Sequence, residues 1–444
     1  MTPSLVLILL WASAAAPVSG IAPKTPADGP RAPVAERRAP EPDNKNLLKT
    51  PMIFYVAKGS PDSCGPGCNE WIAAEGEFDT DAPQRLRNLL EQRRGVLPIY
   101  FHSPGGLLDS ATSIGHVMRQ RGMTAGVSKT IPERCAGLDQ RACQRLKESG
   151  QPLAAELNAM AACSSACIYA VIGAKVRQIP PSAKLGVHSS KPVRVDADGR
   201  VLPSETVLSE RQIAARNAVL ASYIRDMGID IRLLELATKT PHEQIYYLSR
   251  DEIVRLRIDT RAFVETPWFV MDQSRPLPTK FVSEARGSDR SEFRVSMLQL
   301  SCSRSRSAAG DFKMLVNVTY YRGLATDELG TQRELKFSIG PRSFVFAPGS
   351  RARKLEFVDT GSMFEMRSET EPLEIFEPLQ ADRIEIASVD APDRTPSPAV
   401  TRLSTQGFAR TMAVMREKCA DSNNRPVIGN DRPLVGNEGA HRGR

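Results

Sequence analysis

Residues 161–174 read AACSSACIYAVIGA: two cysteines four positions apart enclose a serine pair and an alanine, and an apolar run follows without interruption. A serine ahead of an apolar helix ordinarily serves only as its N-cap. The same place also gathers free backbone amides and the positive end of the helix dipole, which favour an oxyanion forming beside an attacking hydroxyl. Small neighbours leave room for another chain to approach.

Upstream, strand and helix alternate. MIFYV from Met52 and WIAAEGEF from Trp71 have strand character, APQRLRNLLEQRR repeats leucine at helical spacing through Leu86, Leu89 and Leu90, and VLPIYFHS is a buried strand ending at PGG. LLDSATSIGHVMRQRG predicts a helix and MTAGVS follows it. Downstream, AKLGVHSS reads as a strand and residues 209–227 as a long helix capped by Ser209 and Gly228, with IRLLELATKT and SRDEIVRLR closing the region. This alternation is that of an α/β domain over 51–270. Residues 130–158 break it with a polar insertion expected to hold one or two short helices.

From residue 275 the pattern changes. FRVSMLQLSCS, FKMLVNVTYY, ELKFSIG, SFVFAP, KLEFVD, MFEMRS and RIEIASVD are short, alternating and separated by turn residues, which predicts a mainly β, sandwich-like C-terminal domain over 275–421. One helix, TQGFARTMAVMREKC, closes it, and a disulfide between Cys302 and Cys419 would tie that helix to an early strand. Residues 422–444 read as a disordered tail. At the other end, MTPSLVLILLWASAAAPVSG has the short apolar run and small residues of a signal peptide over 1–20, too short to span a bilayer. Residues 21–50, rich in Pro, Ala and charge, read as a disordered linker. The mature chain is therefore expected to be exported, with no transmembrane segment.

Cysteine usage agrees with export. Eight cysteines, an even number, suit an oxidising compartment; the pairing of Cys64, Cys68, Cys135, Cys143, Cys163 and Cys167 stays open. On a regular helix Cys163 and Cys167 would share one face, and a bridge between them would need local distortion. The absence of CxxC pairs and the scatter of five histidines argue against a metal. A net charge of +8 is spread among acids, which fits a solvated surface better than a nucleic-acid site.

Three features converge on chemistry. SPGG at Ser103–Gly106 permits a turn whose amides point into a cleft. Ser165 opens the apolar helix. His188 ends the next strand, where a neutral imidazole can take the serine proton and return it to a leaving group.

SPGG, the small-residue serine segment and an apolar strand ending in His together resemble the ClpP/crotonase superfamily, and CSSAC followed by GAKVRQIPPSAKLGVH is especially similar to exported ClpP-like proteins of bacterial envelopes. The resemblance covers about residues 51–265 and not the C-terminal domain. It implies a serine peptidase of the Gram-negative periplasm with Ser165 as nucleophile, in preference to Ser164, and His188 as base. The amides of Gly106 and Ala166 would form the oxyanion hole. It implies a peptide or protein substrate, no cofactor, and relatives that form rings or trimers. An envelope protein partner would dock on the β domain.

Two departures stand out. Ile245 occupies the place of the family's acid, leaving Glu243 or His242 as substitutes for the third member, and the insertion lies between SPGG and the serine. A serine–lysine pair using Lys175 or Lys184 is a rival mechanism, and a non-catalytic envelope protein that binds an extended peptide in the cleft is the alternative function.

Overall fold

The computed structural model describes residues 50–271 apart from 94, 197–200 and 205, and beyond them 277–286, 292–306, 312–323, 335–339, 342–354, 362–367, 371–372, 383–388 and 401–420. The expected signal peptide, all but one residue of the linker, the tail and most of KLEFVD lie outside the described residues.

The first half builds one mixed sheet with helices against it. In chain order come β1 (Ile53–Lys58), β2 (Glu70–Glu75), α1 (Ala82–Glu91), β3 (Ile99–His102), α2 (Leu108–Gln120), β4 (Thr124–Val127), β5 (Lys129–Pro132), α3 (Gln140–Lys147), β6 (Leu153–Asn158), β7 (Ala162–Ser164), α4 (Ala166–Gly173), β8 (Val176–Gln178) and β9 (Lys184–Val187). Seven of these strands pair in the order β5-β6-β1-β2-β3-β4-β8. Pairing is parallel except at β1–β2 and β5–β6. The central strands are buried on both faces, through Trp71, Ile72, Ala73 and Ala74 on β2 and Ile99, Tyr100 and Phe101 on β3, as a sheet covered on both sides requires.

All eight residues of α4 are buried. The helix packs on α2 so closely that a methyl group on Gly173 would overlap the backbone of Gly115. Burying Ile168, Val171 and Ile172 contributes about 1.5–3 kcal/mol each.

The chain continues through β10 (Val193–Val195), β11 (Val201–Pro203), α5 (Glu210–Asp226), α6 (Arg232–Lys239), β12 (Tyr246–Tyr247) and α7 (Arg250–Arg255). Ser209 closes a capping box with Gln212 at the start of α5, and Gly228 follows its end at φ 72°. β7, β9 and β12 form a separate three-stranded sheet, with β9 in the middle.

The insertion holds more than short helices. β6 runs parallel to β1 and β5 pairs antiparallel with β6, so two strands extend the main sheet. Leu153 and Ala155 join Tyr55, Trp71 and Tyr100 in a common apolar cluster. Alanines at 154 and 155 are weak strand formers, and they mask the strand's alternation. Cys135–Cys143 closes the loop between the two strands.

In the second half β13 (Phe263–Glu265), β14 (Phe269–Val270), β15 (Pro278–Arg286), β16 (Glu292–Arg306), β17 (Phe312–Gly323), β18 (Leu335–Ile339), β19 (Arg342–Lys354), β20 (Ser362–Arg367), β21 (Glu371–Pro372), β22 (Arg383–Ser388) and β23 (Thr401–Ser404) precede α8 (Phe408–Ala420). Every pairing among the described residues of this half is antiparallel. β19 changes partner along its length: residues 342–346 pair with β18, and the remainder with β20 across a register shift between Pro348 and Ala352. The described strands of this β-rich part connect through β19, and Leu298 of β16, Val316 of β17 and Ile384 of β22 share a core with Phe408, Met412 and Met415 of α8.

Cys302 on β16 is bonded to Cys419 on α8 across 117 residues. Replacing both by alanine is expected to cost about 2–5 kcal/mol in urea unfolding of the full chain, because the bridge closes a long loop in the unfolded state.

Candidate active site

The turn between β7 and α4 is built from three strand ends. Ser164 N–H donates to the carbonyl of Ser103 (3.1 Å), just past β3, and Ser165 N–H donates to the carbonyl of Gly186 on β9 (2.8 Å). β7 and β9 run parallel with Ser164 opposite Gly186, so Ser165 and His188 both leave the same end of the pair. Ser164 is buried and Ser165 half-buried. Ser165 has φ 56° and ψ −124°, a conformation costing a non-glycine residue about 1–3 kcal/mol. Its side chain makes no N-cap bond to α4. The helix begins at Ala166, one residue later.

SPGG wraps around this turn. Ser103 Oγ donates to the carbonyl of Gly76 (2.6 Å) and accepts the Gly105 N–H (3.2 Å). Gly105 and Gly106 both have positive φ, 117° and 127°. The Gly105 carbonyl accepts from Phe78 N–H (2.8 Å) and the Phe78 carbonyl from Leu107 N–H (2.7 Å), which fixes the loop against a buried phenyl ring. A Cβ on Gly105 would lie 2.6 Å from Ser165 Cβ and 3.1 Å from Ala166 N. Gly106 is exposed, and neither its N–H nor that of Ala166 donates to a described residue. Both amides are thus without a partner among the described residues, and the Gly105 backbone lies directly against Ser165.

His188 is oriented by main chain. Its Nδ1 lies 2.6 Å from the His242 carbonyl, and His242 Nδ1 lies 2.9 Å from the Ser189 carbonyl. A carbonyl can only accept, so each Nδ1 carries the proton and a neutral His188 presents its Nε2 lone pair. The two rings lie 4.6 Å apart. Burial, the largest effect, pulls the His188 pKa below its usual value, with the His242 carbonyl and Glu243 opposing. The Ser165 hydroxyl and His188 Nε2 share no hydrogen bond with each other or with another described residue.

The remaining candidates lie elsewhere around the turn. The exposed Glu243 carboxylate forms an ion pair with Lys191, and the position next to His188 Nδ1 belongs to the main chain of His242. Ile245 packs towards Gly186. Lys184 starts β9, at the opposite end of the strand pair from Ser165, with its ammonium over the Tyr247 ring. Lys175 is exposed beyond α4. All six first-half cysteines pair locally, as Cys64–Cys68, Cys135–Cys143 and Cys163–Cys167. Cys163 sits on β7 and Cys167 on α4, so their bridge spans the turn and needs no distorted helix.

His102, which sequence reasoning passed over, ends β3 fully inside the protein. Its Nδ1 accepts the Ala162 N–H (3.2 Å), joining β3 to the strand that carries the serine. Burial drives its pKa down to about 4, with Glu75 opposing. Its only signal in the sequence is its place directly ahead of SPGG.

No family model matches this chain, and no curated protein does. Among solved structures it is similar to a mutant of the 1510-N membrane-bound stomatin-specific protease, at 13% identity over 41% of this chain and 73% of that one, with a TM-score of 0.26. ClpP1 from Listeria monocytogenes matches at 13% identity over 41% of this chain and 85% of that one, also with a TM-score of 0.26. A further mutant of the stomatin-specific protease, in complex with a substrate peptide, matches at 15% identity over 41% and 69%, with a TM-score of 0.25.

His102 makes stability pH-dependent. Its folded pKa lies below the unfolded value of about 6.5, so the unfolded chain takes up the proton first as pH falls. The contribution is complete above pH 6.5 and drains away between there and about pH 4, at up to about 1.4 kcal/mol per pH unit. Urea unfolding at several pH values is expected to show this slope in the native protein and a shallower one in His102→Gln.

Proposed function

We propose that the chain is a serine hydrolase acting on peptides, exported to the periplasm of a Gram-negative bacterium. The observation that carries the reading is the turn at Ser165: a non-glycine residue held at positive φ, its hydroxyl uncommitted, packed against the Gly105–Gly106 turn and followed by an unpaired Ala166 amide. A turn that served only to cap α4 would have spent the hydroxyl on the helix.

In the reaction, Ser165 Oγ attacks the peptide carbonyl carbon and its proton passes to His188 Nε2. The amides of Gly106 and Ala166 hold the resulting oxyanion, and the imidazolium then protonates the departing amine. Water repeats the sequence on the acyl-enzyme, with the Ser165 oxygen as leaving group. The His242 carbonyl fixes the His188 tautomer but adds no negative charge beside the imidazolium. Two observations support this role for His188: its neutral form is favoured by burial, and its Nδ1 is already committed. An envelope partner docking on the β domain belongs to the same proposal.

A second reading, a non-catalytic protein that binds an extended peptide in the cleft, is favoured by the missing hydrogen bond between Ser165 and His188. Labelling with a fluorophosphonate separates the two. The purified mature protein is expected to react, Ser165→Ala to be silent, and His188→Gln to react about 10²-fold or more slowly. The rate should rise with pH through a value below 6.5 and level off by neutrality, since the neutral ring is the base. A folded wild-type protein that stays unlabelled would count against the hydrolase and favour the binding function. Export is checked by N-terminal sequencing of protein recovered from the periplasm, which should begin near residue 21.

A further inference from the structure

Resting on the hydrolase reading above, we propose that the Cys163–Cys167 disulfide is a positioning element of the active site, holding Ser165 in the conformation that presents its hydroxyl and keeping Ala166 N–H beside that of Gly106.

The argument starts from where the bridge lies. Cys163 is on β7 and Cys167 is the second residue of α4, with Cα atoms 5.2 Å apart. The residues enclosed are Ser164, Ser165 and Ala166, which include the nucleophile and one oxyanion amide. A backbone conformation as unfavourable as that of Ser165 persists only where its surroundings over-determine it.

Upstream, the surroundings do so by ordinary means. Cys163 bridges to Ser103, Ser164 N–H bonds the Ser103 carbonyl, and Ser165 N–H bonds that of Gly186. Downstream, the Ser165 carbonyl accepts the Ile168 N–H (3.3 Å), but the Ala166 N–H donates to no described residue. The Ala166 N–H has to stay free to serve an oxyanion, so it cannot also anchor the chain. A covalent link through the next side chain holds this side of the turn without consuming a backbone donor.

Burial points the same way. Both cysteines have no exposed surface and belong to the main core. A bridge meant to be cycled by a soluble dithiol would need an accessible sulfur, so the location suits a permanent clamp.

The molecule contains its own control. Cys64–Cys68 also spans four positions, with a Cα separation of 5.1 Å, but lies in the loop between β1 and β2. Equal loop lengths give equal unfolded-state terms when the two bridges are removed. The full mature chain is compared as wild type, as Cys163→Ala with Cys167→Ala, and as Cys64→Ala with Cys68→Ala, reading both thermal unfolding and fluorophosphonate labelling. The Cys163 and Cys167 variant is expected to lose at least as much thermal stability as the Cys64 and Cys68 variant, since its fully buried positions also leave a cavity. Only the first should label roughly 10- to 100-fold more slowly, the loss falling on the maximal inactivation rate and not on reagent affinity. If the alanine pair does not unfold cooperatively, Cys163→Ser with Cys167→Ser, nearer in side-chain volume, carries the same comparison.

Wild-type labelling rates in the Cys163 and Cys167 variant, or an equal fall in the Cys64 and Cys68 variant, would overturn the proposal. A wild-type protein that does not label at all overturns the hydrolase reading and takes this proposal with it.

Discussion

The backbone of Ser165 is the constraint from which the rest of the first half can be understood. A strand must hand over to a buried helix within one residue, and that residue must keep its side chain out of the core. The handover works because three strand ends meet there: β3 through Ser103, β7 through Ser164 and β9 through Gly186. It also works because glycine stands wherever the turn is approached most closely. A Cβ on Gly105 would meet Ser165 Cβ at 2.6 Å, and one on Gly186 would crowd Ser164 Oγ at 3.1 Å. The parallel sheet is thus the scaffold that brings distant segments to one edge, and α4, buried on every side, is the rigid body that fixes the far end of the turn.

Histidine orientation follows a different economy. His188 and His242 each direct Nδ1 at a carbonyl beside the other ring, so a pair of main-chain acceptors fixes both tautomers. A carbonyl selects the tautomer as well as an acid does. In the proposed reaction it would offer less to a developing imidazolium, so the charge separation of the transition state would rest more on the two amides.

Much of this was legible in the sequence, for identifiable reasons. β3 is a plain apolar run stopped by Pro104 and two glycines, and α4 is a plain apolar run preceded by hydroxyls; both signals are local. β5 and β6 were not legible, because β6 is alanine-rich and owes its strand identity to pairing with β1, and the four-residue β5, ending in Pro132, owes its own to pairing with β6. The pairing of Cys163 with Cys167 was not legible, because only the fold shows that the helix starts at Ala166 and leaves Cys163 on a strand. The acceptor on His188 was hidden in principle: every residue has a carbonyl, and only the fold decides which one arrives. His102 was equally silent, since the groups that surround it come from β2, β5, α3 and β7.

The seam between the halves bears on how the molecule can be handled. Phe269, Phe281, Val295 and Met297 of the β-rich part close over Ala159 at the end of the insertion. Arg410 of α8 reaches Glu133 and Glu156, and Asp251 after β12 accepts the Phe293 N–H at 2.9 Å. Severing the chain near residue 271 and parting the fragments would bare two greasy faces that now cover each other. The fragments would tend to clump when produced separately, whereas a single proteolytic nick there would leave them clasped and travelling as one particle.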